Sequence, residues 1–99
     1  MIEKLYEAVE HYGRCYRIYE MFESHTGWLW FTLETFPNQA DLRYGLVCGN
    51  QRLFDYFSME DMNPLILATK VWQVPQKHWA SNGNVHLVEQ SRLDRHVTM

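Results

Sequence analysis

The stretch "GWLWFTLETFP", residues 27–37, has the two-residue alternation of a β-strand. Leu29 and Phe31 point to one face, which is apolar and predicts a core. Trp28 and Trp30 begin the other face. A strand that carries large apolar side chains on both faces needs cover on both sides. The question that the sequence raises is therefore what covers the tryptophans.

Composition predicts one folded domain and excludes several classes of protein. The chain has 99 residues, of which 46% are hydrophobic and 15% aromatic, as a packed core requires. The net charge is −3, whereas proteins that bind double-stranded nucleic acid carry a strongly positive surface. Two cysteines, Cys15 and Cys48, favour free thiols. No signal peptide or span of ~20 apolar residues is evident, so we expect a cytoplasmic protein that does not contact a membrane.

The N-terminal segment has the spacing of an amphipathic helix. Ile2, Leu5 and Val9 recur at intervals of three and four residues. Gly13 is placed where a glycine commonly ends a helix. The spacing predicts a helix over residues 2–12.

The rest of the chain reads mainly as antiparallel strands. Gly49-Asn50 and Asn82-Gly83 are hairpin turn signals, and Ser58 predicts the start of a short helical turn that Pro64 limits. The β-branched and aromatic run at 69–74 favours a strand within 65–74. Predicted strands occupy about 15–23, 28–36, 42–48, 51–57, 77–81 and 84–89, and the strand favoured within 65–74 would be a seventh.

These elements predict an α+β fold. An N-terminal helix is followed by a mostly antiparallel β-meander of about six to seven strands, with a short helical turn near 58–63. Residues 1–90 form the domain, and the polar segment 91–99 is a frayed C-terminal tail.

The predicted registers place one set of aromatic and arginine side chains together. A tight turn at 24–27 would set Arg17 opposite Glu34 and Met21 opposite Trp30. An eleven-residue helix is about 16 Å long and cannot cover six strands, so part of this face should stay open. Residues of these types carry much of the energy at interfaces. The predicted partner-binding residues are Arg17, Tyr19, Met21, Trp28, Trp30, Arg52, Phe54 and Tyr56.

No motif specifies a catalytic, cofactor or metal site. His78 and His86 fall on opposite faces of the predicted hairpin and could not share an ion. Cys15 and Cys48 also fall on opposite faces. Glu34 is interpreted as the partner of Arg17 rather than as a catalytic acid. We therefore expect no enzyme, no cofactor and no metal.

The aromatic and turn residues of 15–75 resemble an uncharacterised family of small proteins from phages, plasmids and integrative elements. That family has a W-x-W-[YF]-x-x-E segment, a loop with proline, an F-G-L-V-x-G strand and a G-Y-F-S-[LM]-x-E-[LM] segment. The matching positions here are Trp28, Trp30, Phe31, Glu34, Pro37, 44–47, Gly49 and 56–62. Asp55 stands where the family has glycine, and the leading helix is not part of its pattern. The resemblance implies a mobile element as genetic setting and implies no mechanism.

We therefore expect a small non-enzymatic interaction protein that binds and blocks a host or phage protein, in an anti-defence or anti-restriction role. A homodimer is also expected, because the aromatic face is not fully covered. Two alternatives remain open. One is a protein that sequesters a nucleotide-like small ligand between aromatic rings. The other is a single-stranded nucleic-acid binder, which the acidic composition disfavours.

Overall fold

The computed structural model describes residues 3–95 as two packed β-sheets and one α-helix. The strands are β1 (Leu5–His11), β2 (Arg14–Arg17), β3 (Glu20–Ser24), β4 (Leu29–Phe36), β5 (Gln39–Cys48), β6 (Arg52–Ser58), β7 (Val71–Gln73) and β8 (Val85–Glu89). The α-helix is α1 (Met59–Leu67), and two short 3-10 helices span Gln76–Ser81 and Gln90–Arg92. The three-stranded sheet has the order β2-β1-β8, and the five-stranded sheet has the order β6-β5-β4-β3-β7.

The predicted N-terminal helix is wrong, because residues 5–11 form the central strand of the three-stranded sheet. Val9 is buried between the two sheets, whereas its neighbour Ala8 is buried on the opposite face beneath Leu93. Burial on both faces removes the period-two signal of the strand. Ile2 lies outside the described residues.

Gly13 is part of a hairpin turn rather than a helix stop. Tyr12 has a φ of 50° and Gly13 a φ of 78°, as the two central residues of a type I′ turn require. His11 and Arg14 pair on either side of the turn and join β1 to β2.

The predicted α+β meander is also wrong in its connectivity. The fold is mostly antiparallel β-structure, with its α-helix in the middle of the chain. The segment predicted as one strand, 15–23, divides at Ile18 and Tyr19 into β2 and β3, which lie in different sheets. The Ile18 amide donates to the Glu7 carbonyl at 3.0 Å, and the Tyr19 amide donates to the Thr32 carbonyl at 2.9 Å. Two adjacent residues thus carry the backbone from one ladder to the other.

The main core lies between the two sheets. Val9 and Val85 of the three-stranded sheet pack in one cluster with Phe31 and Leu46 of the five-stranded sheet. Trp79, on a 3-10 helix, closes this core and donates its indole N–H to the Val74 carbonyl at 2.8 Å. We call the face of the five-stranded sheet that meets this core the inner face.

Helix α1 covers part of the opposite, outer face of the five-stranded sheet. Met62 is buried with Phe22, and the side chains of Trp30 and Ile66 pack against them. The predicted N-cap is confirmed, because the Ser58 hydroxyl accepts a hydrogen bond from the Asp61 amide at 3.1 Å. The helix is longer than predicted.

Pro64 lies inside α1 and does not end it. The helix continues to Leu67 because Ile66, beyond the proline, packs against the outer-face cluster. Only the end of the predicted strand at 65–74 is correct, since β7 spans Val71–Gln73.

The Asn82-Gly83 hairpin is wrong, and the Gly49-Asn50 hairpin is correct with a shifted register. Residues 76–81 form a 3-10 helix, and β8 pairs with β1 instead of with a preceding strand. Hairpin β5–β6 has three loop residues, 49–51, because Cys48 pairs with Arg52. Leu46 consequently lies opposite Phe54, whereas a two-residue turn at Gly49-Asn50 would have placed it opposite Leu53.

The C-terminal segment lies along the free side of β2. Leu93 forms a bridge to Cys15, and the Asp94 amide donates to the Cys15 carbonyl at 2.8 Å. Residues 96–99, which the predicted tail includes, lie outside the described residues. Within residues 3–95, no helix has the length and apolarity needed to cross a membrane.

Candidate functional site

The eight predicted partner-binding residues do not share one face. In the β3–β4 ladder Trp30 lies opposite Phe22, whereas Met21 lies opposite Phe31. A shift of one residue moves a side chain to the other face of a sheet. Met21 is therefore a buried inner-face residue, and Trp30 is on the outer face.

Arg17 and Tyr19 also lie away from the tryptophans. Arg17 ends β2 opposite Ala8, and Glu34 lies opposite Tyr44 in the other sheet. The cross-strand pair predicted for Arg17 and Glu34 is therefore wrong. Tyr19 lies in the short connection between the two sheets.

Arg52 and Phe54 belong to the seam between the sheets, and Tyr56 lies beside Tyr44 and Phe36 of its own sheet. Arg52 donates to the Glu10 carbonyl at 2.6 Å and to the Asn84 side-chain oxygen at 3.3 Å. Phe54 lies edge-on to Tyr16 at a centroid distance of 5.3 Å, and Tyr56 is partly exposed on the same strand. The predicted binding of single-stranded nucleic acid required Phe54 and Tyr56 to lie on the same face as Trp30. They lie on the opposite face of the sheet, so the described residues do not form that aromatic surface.

An uncovered apolar surface remains on the outer face. Trp30, Val47 and Leu53 lie side by side across β4, β5 and β6. Trp28 lies 6.0 Å from Trp30 between ring centroids, and both rings line one cavity of about 200 Å³ together with Leu65 of α1. We call these five residues, Trp28, Trp30, Val47, Leu53 and Leu65, the tryptophan patch.

A tight turn and a glycine fix the position of Trp28. The Ser24 hydroxyl accepts a hydrogen bond from the Trp28 amide at 3.0 Å and bonds the Thr26 hydroxyl at 2.8 Å. The Trp28 ring lies over Gly49, where an added Cβ would be 2.5 Å from the ring. Trp28 is consequently held flat against the β5–β6 loop, with 38% of its surface exposed.

Helix α1 leaves part of this patch exposed, including its own Leu65. Leu53 is 41% exposed and Leu65 is 39% exposed, whereas Phe22 beneath the helix is fully buried. On the same outer face Glu20 and Arg43 form an ion pair at 2.6 Å, with Glu20 opposite Thr32, two residues along β4 from Trp30. An apolar surface with polar groups on the same face has the composition of a protein interface.

A second concave feature lies where the two sheets meet. It is a cavity of about 400 Å³ between β1, the β2–β3 connection, β4 and the C-terminal segment. The Arg17 guanidinium lies 4.4 Å from the Tyr6 ring centroid and 4.9 Å from that of Tyr19. We call this cavity of about 400 Å³ the tyrosine–arginine cavity. Tyr6 and the C-terminal segment were not among the predicted site residues, since only tertiary structure brings them to Arg17.

Burial shifts the pKa of two titratable groups at the seam between the sheets, Cys48 and His11. Burial raises the pKa of the Cys48 thiol above its ordinary value, with the nearby Arg52 opposing that shift. Burial and the Arg52 charge lower the pKa of His11. Among residues 3–95, no group of three or more His, Cys, Asp or Glu side chains could hold a metal ion.

Comparisons of the chain with protein-family models, with curated proteins and with solved structures found no significant match.

Proposed function

We propose that this chain is a small non-enzymatic interaction protein that binds another protein through the tryptophan patch. The contiguous, partly exposed apolar surface on the outer face supports this proposal. Surfaces of this kind mark interaction sites, and tryptophans near their centre carry much of the binding energy.

The mobile-element setting that the resemblance implies supports a host or phage protein as the partner. Trp28 and Trp30 provide the W-x-W motif of the resemblance to mobile-element proteins, and both belong to the patch. We propose that binding blocks the partner, as an anti-defence or anti-restriction protein would. This step rests on analogy of motif and setting.

We also retain the homodimer as a proposal. Within the described residues, β6 lies at the edge of the five-stranded sheet with most of its side chains exposed. An edge strand offers unpaired backbone groups to a second strand. Light scattering at micromolar concentration tests the dimer, and a monomer mass would exclude it.

Two matched leucines test the patch. Leu53→Asp places a charge in the patch, whereas Leu87→Asp places one on β8 of the other sheet, where Leu87 is similarly exposed. We expect Leu53→Asp to weaken capture of the partner roughly 30-fold, equivalent to about 2 kcal/mol, because a charge must be desolvated there. Leu87→Asp should capture as the unchanged protein does.

The measurement is affinity capture from host lysate with mass spectrometry, followed by titration of the captured protein. Thermal melting of both variants must match the unchanged protein, so that a loss of capture reports the surface and not the fold. Undiminished capture by Leu53→Asp would exclude the patch as the binding surface. A partner lost equally from both variants would place the interface elsewhere.

A further inference from the structure

Part of the tryptophan patch surrounds a cavity of the size of a single side chain. The cavity measures about 200 Å³, and its apolar walls are Trp28, Trp30, Leu65 and Val71. Pockets that hold whole cofactors or drug-sized ligands usually measure about 300–1,000 Å³, whereas an apolar cavity of about 150 Å³ holds a benzene ring. The space therefore fits one aromatic or branched aliphatic side chain. We call it the indole cavity.

The basic side chains at the indole cavity have no acidic counterpart. Lys70 and His25 line it, and no Asp or Glu is among the described residues that do so. The one ion pair between described residues joins Arg43 to Glu20, so the Lys70 ammonium has no carboxylate partner within residues 3–95. In a chain whose net charge is −3, this local excess of positive charge favours an acidic occupant.

Backbone hydrogen bonds hold Lys70 beside the cavity. Its amide donates to the Leu65 carbonyl at 2.9 Å, and its carbonyl accepts a hydrogen bond from the His25 amide at 2.9 Å. Lys70 thus connects the end of α1 to the turn that precedes Trp28. A substitution of its side chain leaves both backbone bonds in place, so the charge at this position can be changed by itself.

The indole N–H groups at the cavity also lack an acceptor. Trp72 and Trp79 donate their indole N–H groups to acceptors within the chain, at 3.1 and 2.8 Å. The indole N–H groups of Trp28 and Trp30 have no such acceptor among the described residues. An indole N–H can only donate, so a group that covers these rings satisfies them with oxygen acceptors. Carboxylate and peptide carbonyl oxygens are acceptors of this kind.

We propose that the indole cavity receives an apolar side chain from an acidic segment of the partner protein. The apolar side chain, such as phenylalanine or leucine, lies between Trp30 and Leu65, and an Asp or Glu next to it in sequence meets the Lys70 ammonium. This inference rests on the proposed function, because it gives the chemistry of the segment that the tryptophan patch binds.

Peptide display tests this chemistry on the purified protein. Short random peptides are selected on the unchanged protein, with Leu65→Asp as the comparison. We expect the enriched peptides to carry a large apolar residue beside Asp or Glu, and Leu65→Asp not to enrich them. A synthetic copy of one enriched peptide is then titrated by fluorescence anisotropy. Replacement of its apolar residue by alanine should weaken binding roughly tenfold or more, since the cavity is left unfilled.

Reversal of the charge at Lys70 tests the acidic part of the segment. Lys70→Glu should weaken binding of the acidic peptide about tenfold, because the attraction of an exposed ion pair becomes a repulsion of similar size. The same variant should bind a peptide with lysine in place of each acid more tightly than the unchanged protein does. Lys77→Glu is the matched control, since Lys77 is exposed, does not line the cavity and gives the same change in net charge. It should bind the acidic peptide as the unchanged protein does.

Several outcomes would overturn the proposal, provided that thermal melts of the variants match the unchanged protein. One is no enrichment over Leu65→Asp, and another is enrichment of peptides without acids. Equal losses in Lys70→Glu and Lys77→Glu would mean that net charge, and not the cavity, selects the peptide. A dimer that Leu65→Asp dissociates in light scattering would make a second copy of this chain the occupant.

Capture of the partner from lysate separates this inference from the proposed function. Capture that is lost in Leu53→Asp but kept in Lys70→Glu would reject the acidic segment and leave the protein-binding patch. Capture that is kept in Leu53→Asp would reject the patch itself as the binding surface.

Discussion

Thr32 has a fully buried side chain whose hydroxyl has no hydrogen-bond partner. It lies at the centre of the five-stranded sheet, with Glu20 opposite it on one side and Gly45 on the other. A buried hydroxyl without a partner lowers stability by ~1–3 kcal/mol relative to one that is paired or replaced. Thr32 therefore lowers the stability of the sheet that carries the tryptophan patch.

Thr32→Val removes this hydroxyl and keeps the branched shape. We expect the free energy of unfolding to rise by about 1 kcal/mol, measured by denaturant titration. Thr35→Val, on the same strand at an exposed position, should change it by less than ~0.5 kcal/mol. A loss of stability in Thr32→Val would mean that the hydroxyl is engaged after all.

Gly45 illustrates what residue-level reasoning can and cannot predict. With a two-residue turn at Gly49-Asn50, the sequence predicts Gly45 opposite Phe54, where the glycine would leave space for the ring. An added Cβ would instead lie 1.8 Å from the Phe31 carbonyl oxygen, so the space is required by the neighbouring backbone. The need for a small residue was predictable, but its cause was not, because the register depends on a three-residue loop.

The start of α1, whose signal is local, was predicted correctly. Ser58 and Asp61 are three residues apart and specify the start of α1 without help from the rest of the chain. The helix predicted at 2–12 failed because Ala8 and Val9 are buried by segments about 80 residues away in sequence. An eleven-residue window of sequence does not show which distant segments pack on the two faces of a strand.

The C-terminal end of α1 stores backbone strain at Thr69. The Lys70 amide donates to the Leu65 carbonyl at 2.9 Å and the Thr69 amide donates to the Ile66 carbonyl at 3.0 Å, which is the Schellman pattern. Thr69 occupies the left-handed position with a φ of 57°, where a β-branched residue is strained by ~1–2 kcal/mol.

Thr69→Gly should therefore raise the free energy of unfolding by about 0.5–1 kcal/mol, after the greater entropy of glycine in the unfolded chain is subtracted. Ala68→Gly is the control, because Ala68 has a φ of −81° and gains nothing from glycine. The control should be less stable than the unchanged protein by up to ~1 kcal/mol. Equal effects of the two substitutions in thermal melts would contradict the assignment of strain to Thr69.

For the whole molecule, the two candidate surfaces differ in how far the sequence predicts them. The two-residue alternation in 27–37 identifies Trp28 and Trp30 as neighbours that need cover, and part of each ring is open. The tyrosine–arginine cavity could not be predicted from the sequence, because its lining includes Tyr6 and Arg95, which are 89 positions apart. The chain must first divide between two sheets at Ile18 before such a cavity exists.

The packing of the two sheets should also depend on pH. His11 of β1 lies edge-on to Phe54 of β6 at a centroid distance of 4.7 Å, so this contact joins the sheets. Burial, and then the charge of Arg52, lower the folded-state pKa of His11 below its ordinary value of 6.5. The unfolded chain therefore takes up the proton first as pH falls, and protonation favours unfolding.

We expect the free energy of unfolding to decrease as pH falls from 7.5 through 6.5 to 5.5. His11→Phe keeps a ring against Phe54 and removes the titration, so its stability should vary less across this window. His86→Gln, at an exposed position of β8, should keep the slope of the unchanged protein. Denaturant titrations at five pH values compare the three proteins. Parallel slopes for the unchanged protein and His11→Phe would show that His11 does not couple protonation to the seam, and that other groups set the acid limit of the fold.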